Sequence, residues 1–200
     1  MIDVRTITEL HETAVQRWHQ DAIDNPHEGF LQLVCRQHEQ NFRLWHEEDI
    51  ARSPDVDNAA LAQVKRNIDK LNQQRNDLIE QLDDYLIREL AAAGVRPQAG
   101  ARLNTETPGS VIDRLSILSL RIYHMQEQAA RTDAGEQHRA KAATRLEILY
   151  EQRHDLAGSL VELLDDLVAG RKQLKVYRQF KMYNDPTMNP YLYRAGGKAE

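Results

Sequence analysis

The sequence predicts an all-α protein: a four-helix bundle of two antiparallel helical hairpins, with an added N-terminal helix and an extended C-terminal strap. Three observations carry that reading. Apolar residues recur at spacings of three and four over long stretches, separated only by short runs rich in Pro, Gly, Asp and Ser. Charged residues make up 28% of the chain and aromatic residues 6%, a balance that suits long amphipathic helices better than sheets. A gap-free offset of 78 residues lays the second and third helices on the fourth and fifth. With 200 residues and 41% hydrophobic side chains, residues 1–200 read as one domain with a real core.

The elements follow in order. A first helix covers Thr6 to about Ala22, and Asp24-Asn-Pro-His-Glu-Gly29 breaks it. A second runs from about Phe30 to Arg52, with an inward stripe of Phe30, Val34, His38, Asn41, Trp45, Glu48 and Arg52. The turn Ser53–Asp57 is so short that the third helix, to about Ala93, must be its antiparallel neighbour. That third helix has an apolar face of Leu61, Val64, Ile68, Leu71, Leu78, Ile79, Leu82 and Leu86, from whose middle Arg75 projects. Gly94–Arg102 is the crossover. Thr107-Pro108 starts the fourth helix: a hydroxyl caps the free amides and a proline sets the first φ. Apolar residues surround this helix on nearly all sides to about Arg131, which makes it central and buried. A last helix spans Glu136 to roughly Val176, and residues 180–200, rich in Asn, Pro and Tyr, form the strap.

Composition excludes several functions. No apolar run is long enough to span a bilayer and no signal-peptide pattern opens the chain, so it reads as soluble and cytoplasmic. The single cysteine, Cys35, excludes an internal disulfide and reads as an inert core thiol. A net charge of −5 argues against nucleic-acid binding, although residues from Arg171 onward carry a local +5. Neither a membrane nor a nucleic acid is expected as a partner; whether the chain forms a homo-oligomer stays open.

The offset of 78 gives approximate halves at 33–86 and 111–164. Leu71-Asn-Gln-Gln-Arg-Asn-Asp-Leu78 falls on Leu149-Tyr-Glu-Gln-Arg-His-Asp-Leu156, and Leu82 on Leu160. Each half offers an Arg-x-x-His-x-x-carboxylate series on one helix face: Arg43, His46, Asp49 and Arg121, His124, Glu127.

Charges on a buried helix must be paired or must face a wet cavity, because an isolated buried charge costs several kcal/mol. Asp113, Arg114, Arg121 and His124 on the fourth helix therefore mark a candidate site, with Asp113 and His124 in phase around the axis to within about 20°. Three readings stay open. In the first, Arg75, Arg114 and Arg121, with the basic tail's Lys181 and Tyr183, hold the phosphate or carboxylate of a small anionic ligand. Asn72 and Asn76 then orient a sugar or base. His124 with Asp113, or His46 with Asp49, moves a proton. In the second, the His-x-x-carboxylate series bind a divalent metal, although the order is the reverse of the usual Glu-x-x-His. In the third, the same groups only knit the bundle together. His11, His19, His27 and His138 are expected on the surface.

Three segments, taken together, carry a resemblance. They are Asn41-Phe-Arg-Leu-Trp-His-Glu-Glu-Asp49 with Asn72-Gln-Gln-Arg-Asn-Asp77; Thr105-Glu-Thr-Pro-Gly109 with Asp113-Arg-Leu-Ser-Ile-Leu118 through His124-Met125; and Lys181-Met-Tyr-Asn-Asp-Pro186 with Asn189-Pro190 and Leu192-Tyr193. In this order the chain resembles the bacterial family catalogued as domain of unknown function 4254. The resemblance implies a bacterial cytoplasmic protein with no assigned activity. Its members are often encoded beside glycosyltransferases, which makes an accessory protein docking such an enzyme the rival to a small-molecule enzyme or binding protein.

Overall fold

The computed structural model describes residues 2–178, 182 and 185–196. It is all-α, as the apolar periodicity requires: α1 Val4–Trp18, α2 Gly29–Arg52, α3 Asn58–Ala92, α4 Pro108–Ala130, α5 Glu136–Val168 and α6 Pro190–Gly196. Among the described residues no helix is long and apolar enough to cross a membrane.

The fourth helix is central. It packs on α1, α2, α3 and α5, while α2 lies chiefly against α3 and α5 chiefly against α4. Val111, Ile112, Leu115 and Leu120 of α4 share one core with Ile7, Leu82 and Leu160, all three of which are fully excluded from solvent, and Ile122 is buried as well. Thr107 caps α4 as its sequence predicts, accepting from the Ser110 amide. A second anion-like partner reaches the same helix end: Asp83, buried on α3, accepts from the Gly109 amide at 2.7 Å. A carboxylate at the positive end of a helix dipole is stabilised there. The approach is so close that a Cβ at Gly109 would lie 2.6 Å from the Ile79 carbonyl oxygen.

The two long helices α3 and α5 stop in the same way. After α3 the Gly94 amide bonds to the Ala91 carbonyl and the Val95 amide to the Leu90 carbonyl. After α5 the Gly170 amide bonds to Leu167 and the Arg171 amide to Asp166. Gly94 and Gly170 sit at φ +69° in each case, the left-handed conformation that ends a helix and satisfies its last carbonyls. This termination stops α5 at Val168, short of the Val176 expected from periodicity. Just beyond it, Lys172–Gln173 (β2) pairs in parallel with Arg102–Leu103 (β1) of the crossover, a two-residue contact with no sequence pattern to announce it.

Two other expectations need correction. The first helix starts at Val4 and ends at Trp18, because Asp3 caps it by accepting from the Arg5 amide. The strap is not extended throughout: Asn189 accepts from the Tyr191 amide at 3.0 Å and Pro190 opens α6. Ahead of the strap, Arg178 donates to Glu80 and Asp84 of α3.

Candidate functional site

The candidate residues fall into three places rather than one pocket. The first is a polar layer between α2 and α4, with Arg75 of α3 at its edge. Asp113 Oδ1 accepts from Gln37 Nε2 at 2.5 Å and Asn41 Nδ2 at 2.9 Å. Asn41 also donates to Ser116 Oγ at 2.9 Å, and that hydroxyl is 2.7 Å from His38 Nδ1. Gln37, His38, Asn41, Asp113 and Ser116 are all buried. Burial pushes the Asp113 carboxyl above the ordinary carboxylate value, and the Asn41 bond, the Arg75 charge and the Gln37 bond each pull it back.

Arg75 stands 3.9 Å from Asp113 Oδ1, beyond hydrogen-bond reach, and its Nε is buried with no acceptor. Only 27% of this side chain is exposed. It projects from the interior face of α3, as the sequence indicates, with half-buried Asn72 and Asn76 on the same helix. Asn76 has a partner of its own.

The second place lies near the C-terminal end of α1. There His19, the residue that caps α1, stacks on Tyr123 at 4.1 Å and meets His46 and His124 edge to face at 5.3 and 5.1 Å. His46 and His124 are 6.2 Å apart, and Trp45 stacks on His124 at 4.6 Å. The imidazoles equivalent under the 78-residue offset thus share one cluster. His19 Nδ1 is 2.7 Å from the Val15 carbonyl and His124 Nδ1 is 2.8 Å from Glu127. A carbonyl or an ionised carboxylate can only accept, so each Nδ1 carries the proton and each neutral ring keeps its lone pair on Nε2. Both Nε2 atoms are buried without a partner. Burial lowers the His46 value, and His19 and His124 lower it further, while Asp49 and Glu127 oppose them.

The third place is a groove of about 410 Å³ between α4 and α5, lined by Arg114, Arg121, Gln152, Asp155 and Ser159 among others. Arg114 and Arg121 are exposed here, and Arg114 pairs with Glu106 at 2.6 Å. They lie on the α5 side of α4, whereas Asp113 faces α2 and α3, so the expected grouping of these arginines with Arg75 between the second, third and fourth helices does not form.

Other expectations fare unevenly. Asp113 and His124 share a face but cannot exchange a proton directly, since eleven residues of helix put about 16 Å of axial rise between them. His46 and Asp49 lie three residues apart on α2, and the Asp49 charge opposes the lowering of His46. Among the described residues no three His, Cys, Asp or Glu side chains are placed to hold a metal ion. The histidine–carboxylate series pair ring with ring instead of converging on a point. Lys181 and Tyr183 lie outside the described residues. Cys35 is a buried thiol pushed up to about 12 by that burial, an inert group as expected.

His11 and His19, expected on the surface, are instead fully buried and half-buried. His11 falls on the stripe of Ile7, Ala14 and Trp18, so helical phase alone would have placed it inward. Gln37 and Ser116 were also missed; His38 and Asn41 were seen on the inward stripe of α2 but not as members of a site.

The chain belongs to the family described as protein of unknown function (DUF4254), which matches residues 31–176, from the third residue of α2 to just past β2. No curated protein and no solved structure matches the chain.

Proposed function

Because that family has no activity attached, the reading rests on geometry, and we propose that the protein binds, and as an enzyme acts on, a small anionic compound of the phosphorylated or nucleotide-sugar class. The observation that carries this is Arg75: a largely buried guanidinium whose nearest carboxylate is too far to accept from it. A buried donor without an acceptor costs roughly 1–3 kcal/mol, more when charged. Gln37 and Asn41 already occupy the near oxygen of Asp113, which keeps the guanidinium available for a ligand. A phosphate would accept from it in bidentate fashion.

Asn72 then supplies a donor and an acceptor for a sugar or base. His124, held by Glu127 with its lone pair on Nε2, is the group suited to take a proton at the far end of an extended ligand. The span of about 16 Å between the levels of Asp113 and His124 on α4 matches a compound with two parts, such as a sugar joined to a nucleotide. A bacterial cytoplasmic setting fits the same reading.

The test is a thermal-shift and calorimetry panel of nucleotides, sugar phosphates and nucleotide sugars against the full chain, with and without Mg²⁺. A ligand bound only by the folded state raises the midpoint by mass action, since it stabilises that state by about 2.7 kcal/mol at a hundredfold excess over Kd. Arg75→Met should abolish the shift and His124→Gln should spare binding. If no compound shifts the midpoint, and Arg75→Ala and His124→Ala only lower stability, the accessory-protein reading replaces this one.

A further inference from the structure

The N-terminal helix α1, which lies outside the family match, meets the rest of the chain through histidines. α1 brings His11 and its capping His19, and they face His38 and His46 on α2 and His124 on α4. His11 and His38 stack 4.7 Å apart, and Trp18 of α1 lies on His38 at 5.2 Å. Five of the eight histidines in the sequence thus sit in one seam. We propose that α1 is an acid-released cover: while the imidazoles of this seam are neutral it closes over the polar layer of α2 and α4, and when they take protons it lifts away and exposes that layer.

The physical ground is what an added proton would find. An imidazolium has two N–H donors and needs two acceptors. His11 has no acceptor at either nitrogen; His38 has the Ser116 hydroxyl at Nδ1 and no hydrogen bond at Nε2, and the His11 backbone opposes the effect of burial on His38 only in part. Their other neighbours, Trp18 and Asn41, carry no charge, and the one carboxylate in that network, Asp113, is joined to His38 through Asn41 and Ser116. The outer cluster is different in detail. His19 is faced by the Val15 carbonyl, Phe42, Tyr123, His46 and His124. Asp49 of α2 and Glu127 of α4 partly offset charge on His46, which also shares a groove with Arg43, Glu47 and Lys70.

Protonation therefore places like charges 5.1 to 6.2 Å apart in the outer cluster and an unsolvated cation in the inner pair. Separation of α1 relieves both at once, because each contact that becomes repulsive runs between α1 and the bundle or lies beneath α1. The ion pair Arg153–Glu12, at 3.2 Å, also holds α1 on the bundle. Leu82, Leu120 and Leu160, the centre of the remaining bundle, have no histidine among them.

Hydrogen exchange read by mass spectrometry on the full chain at pH 7 and pH 5, with labelling times scaled for the chemical rate, tests the proposal. Protection of amides 5–17 should fall about twentyfold or more, the factor that one imidazole held near 3 in the closed state contributes between those pH values, and at pH 5 it should lie well below that of amides 112–122 of α4, which open only with the whole fold. In a chain carrying His11→Phe the loss should shrink. Should that chain fail to fold, His19→Phe with His46→Phe gives the same readout from the more exposed cluster. Unchanged protection of α1 down to pH 5, protection of α1 equal to that of α4 at pH 5, or an undiminished loss in the folded variant would each overturn the proposal.

Discussion

One substitution made at two positions separates the close approach of α3 and α4 from helix propensity. Glycine to alanine inside a helix ordinarily stabilises by about 0.8–1 kcal/mol, because glycine loses more backbone freedom on folding. Gly158 in α5 has nothing within 4 Å of the position its Cβ would take, so Gly158→Ala should gain about that amount. At Gly109 the same methyl would lie 2.6 Å from the Ile79 carbonyl oxygen and 2.9 Å from the Asp83 carboxyl group. Backbone cannot rotate away as a side chain can, so α4 must move off α3. The move costs about 1–3 kcal/mol as overpacking, and loosening the charged bond from the Gly109 amide to Asp83 costs roughly 1.5–3 kcal/mol more. After the propensity gain is subtracted, Gly109→Ala should destabilise by about 2–4 kcal/mol. Urea unfolding followed by circular dichroism, with an unchanged m-value, reads both. A shift of the same sign in the two variants would refute the argument, since it would leave propensity as the only working cause.

Further outcomes follow from the same contacts. Asp113→Asn keeps an oxygen for Gln37 and Asn41 and should cost under about 1 kcal/mol, whereas Asp113→Ala strands both donors and should cost about 2–4 kcal/mol in urea unfolding. Gly170→Ala meets a left-handed φ and the Arg96 carbonyl oxygen at 2.6 Å, so it should lower the thermal midpoint well below that of Gly158→Ala. Leu82→Ala and Leu160→Ala, both at fully buried positions, should each cost about 2–5 kcal/mol by the same assay. Burial lowers His38 to about 3, below its unfolded value near 6.5, so its stabilising effect is complete above pH 6.5 and is lost as pH falls. Between pH 7 and pH 5 that amounts to about 2 kcal/mol of unfolding free energy, with His11 acting in the same direction.

Much of the fold was legible because long helices write their apolar faces at a fixed period. The central place of α4 and its start at Thr107-Pro108 came directly from that pattern and from capping chemistry. The same chemistry stands at Asn189-Pro190, where proline richness was instead read as extension; a cap and a fixed φ outweigh composition. Phase without rise misled the pairing of Asp113 with His124, since two residues can share a face and still be three turns apart. Polarity misled the reading of His11, which lies on the apolar stripe of α1 and is buried among rings. Arg114 and Arg121 face outward because α5 covers only part of α4, a matter of tertiary packing that no single helix records.

The small parallel contact of Arg102–Leu103 with Lys172–Gln173 has a topological consequence. It joins the chain just before α4 to the chain just after α5, so that hairpin is a loop whose neck is tied, much as a crosslink would tie it. Opening the peptide within the exposed 131–135 turn would leave both cut arms anchored at the base, beside the Gly170 amide carbonyl that Gln98 grips. New chain ends introduced there are compatible with the native arrangement, which makes this turn the natural place to insert a reporter domain.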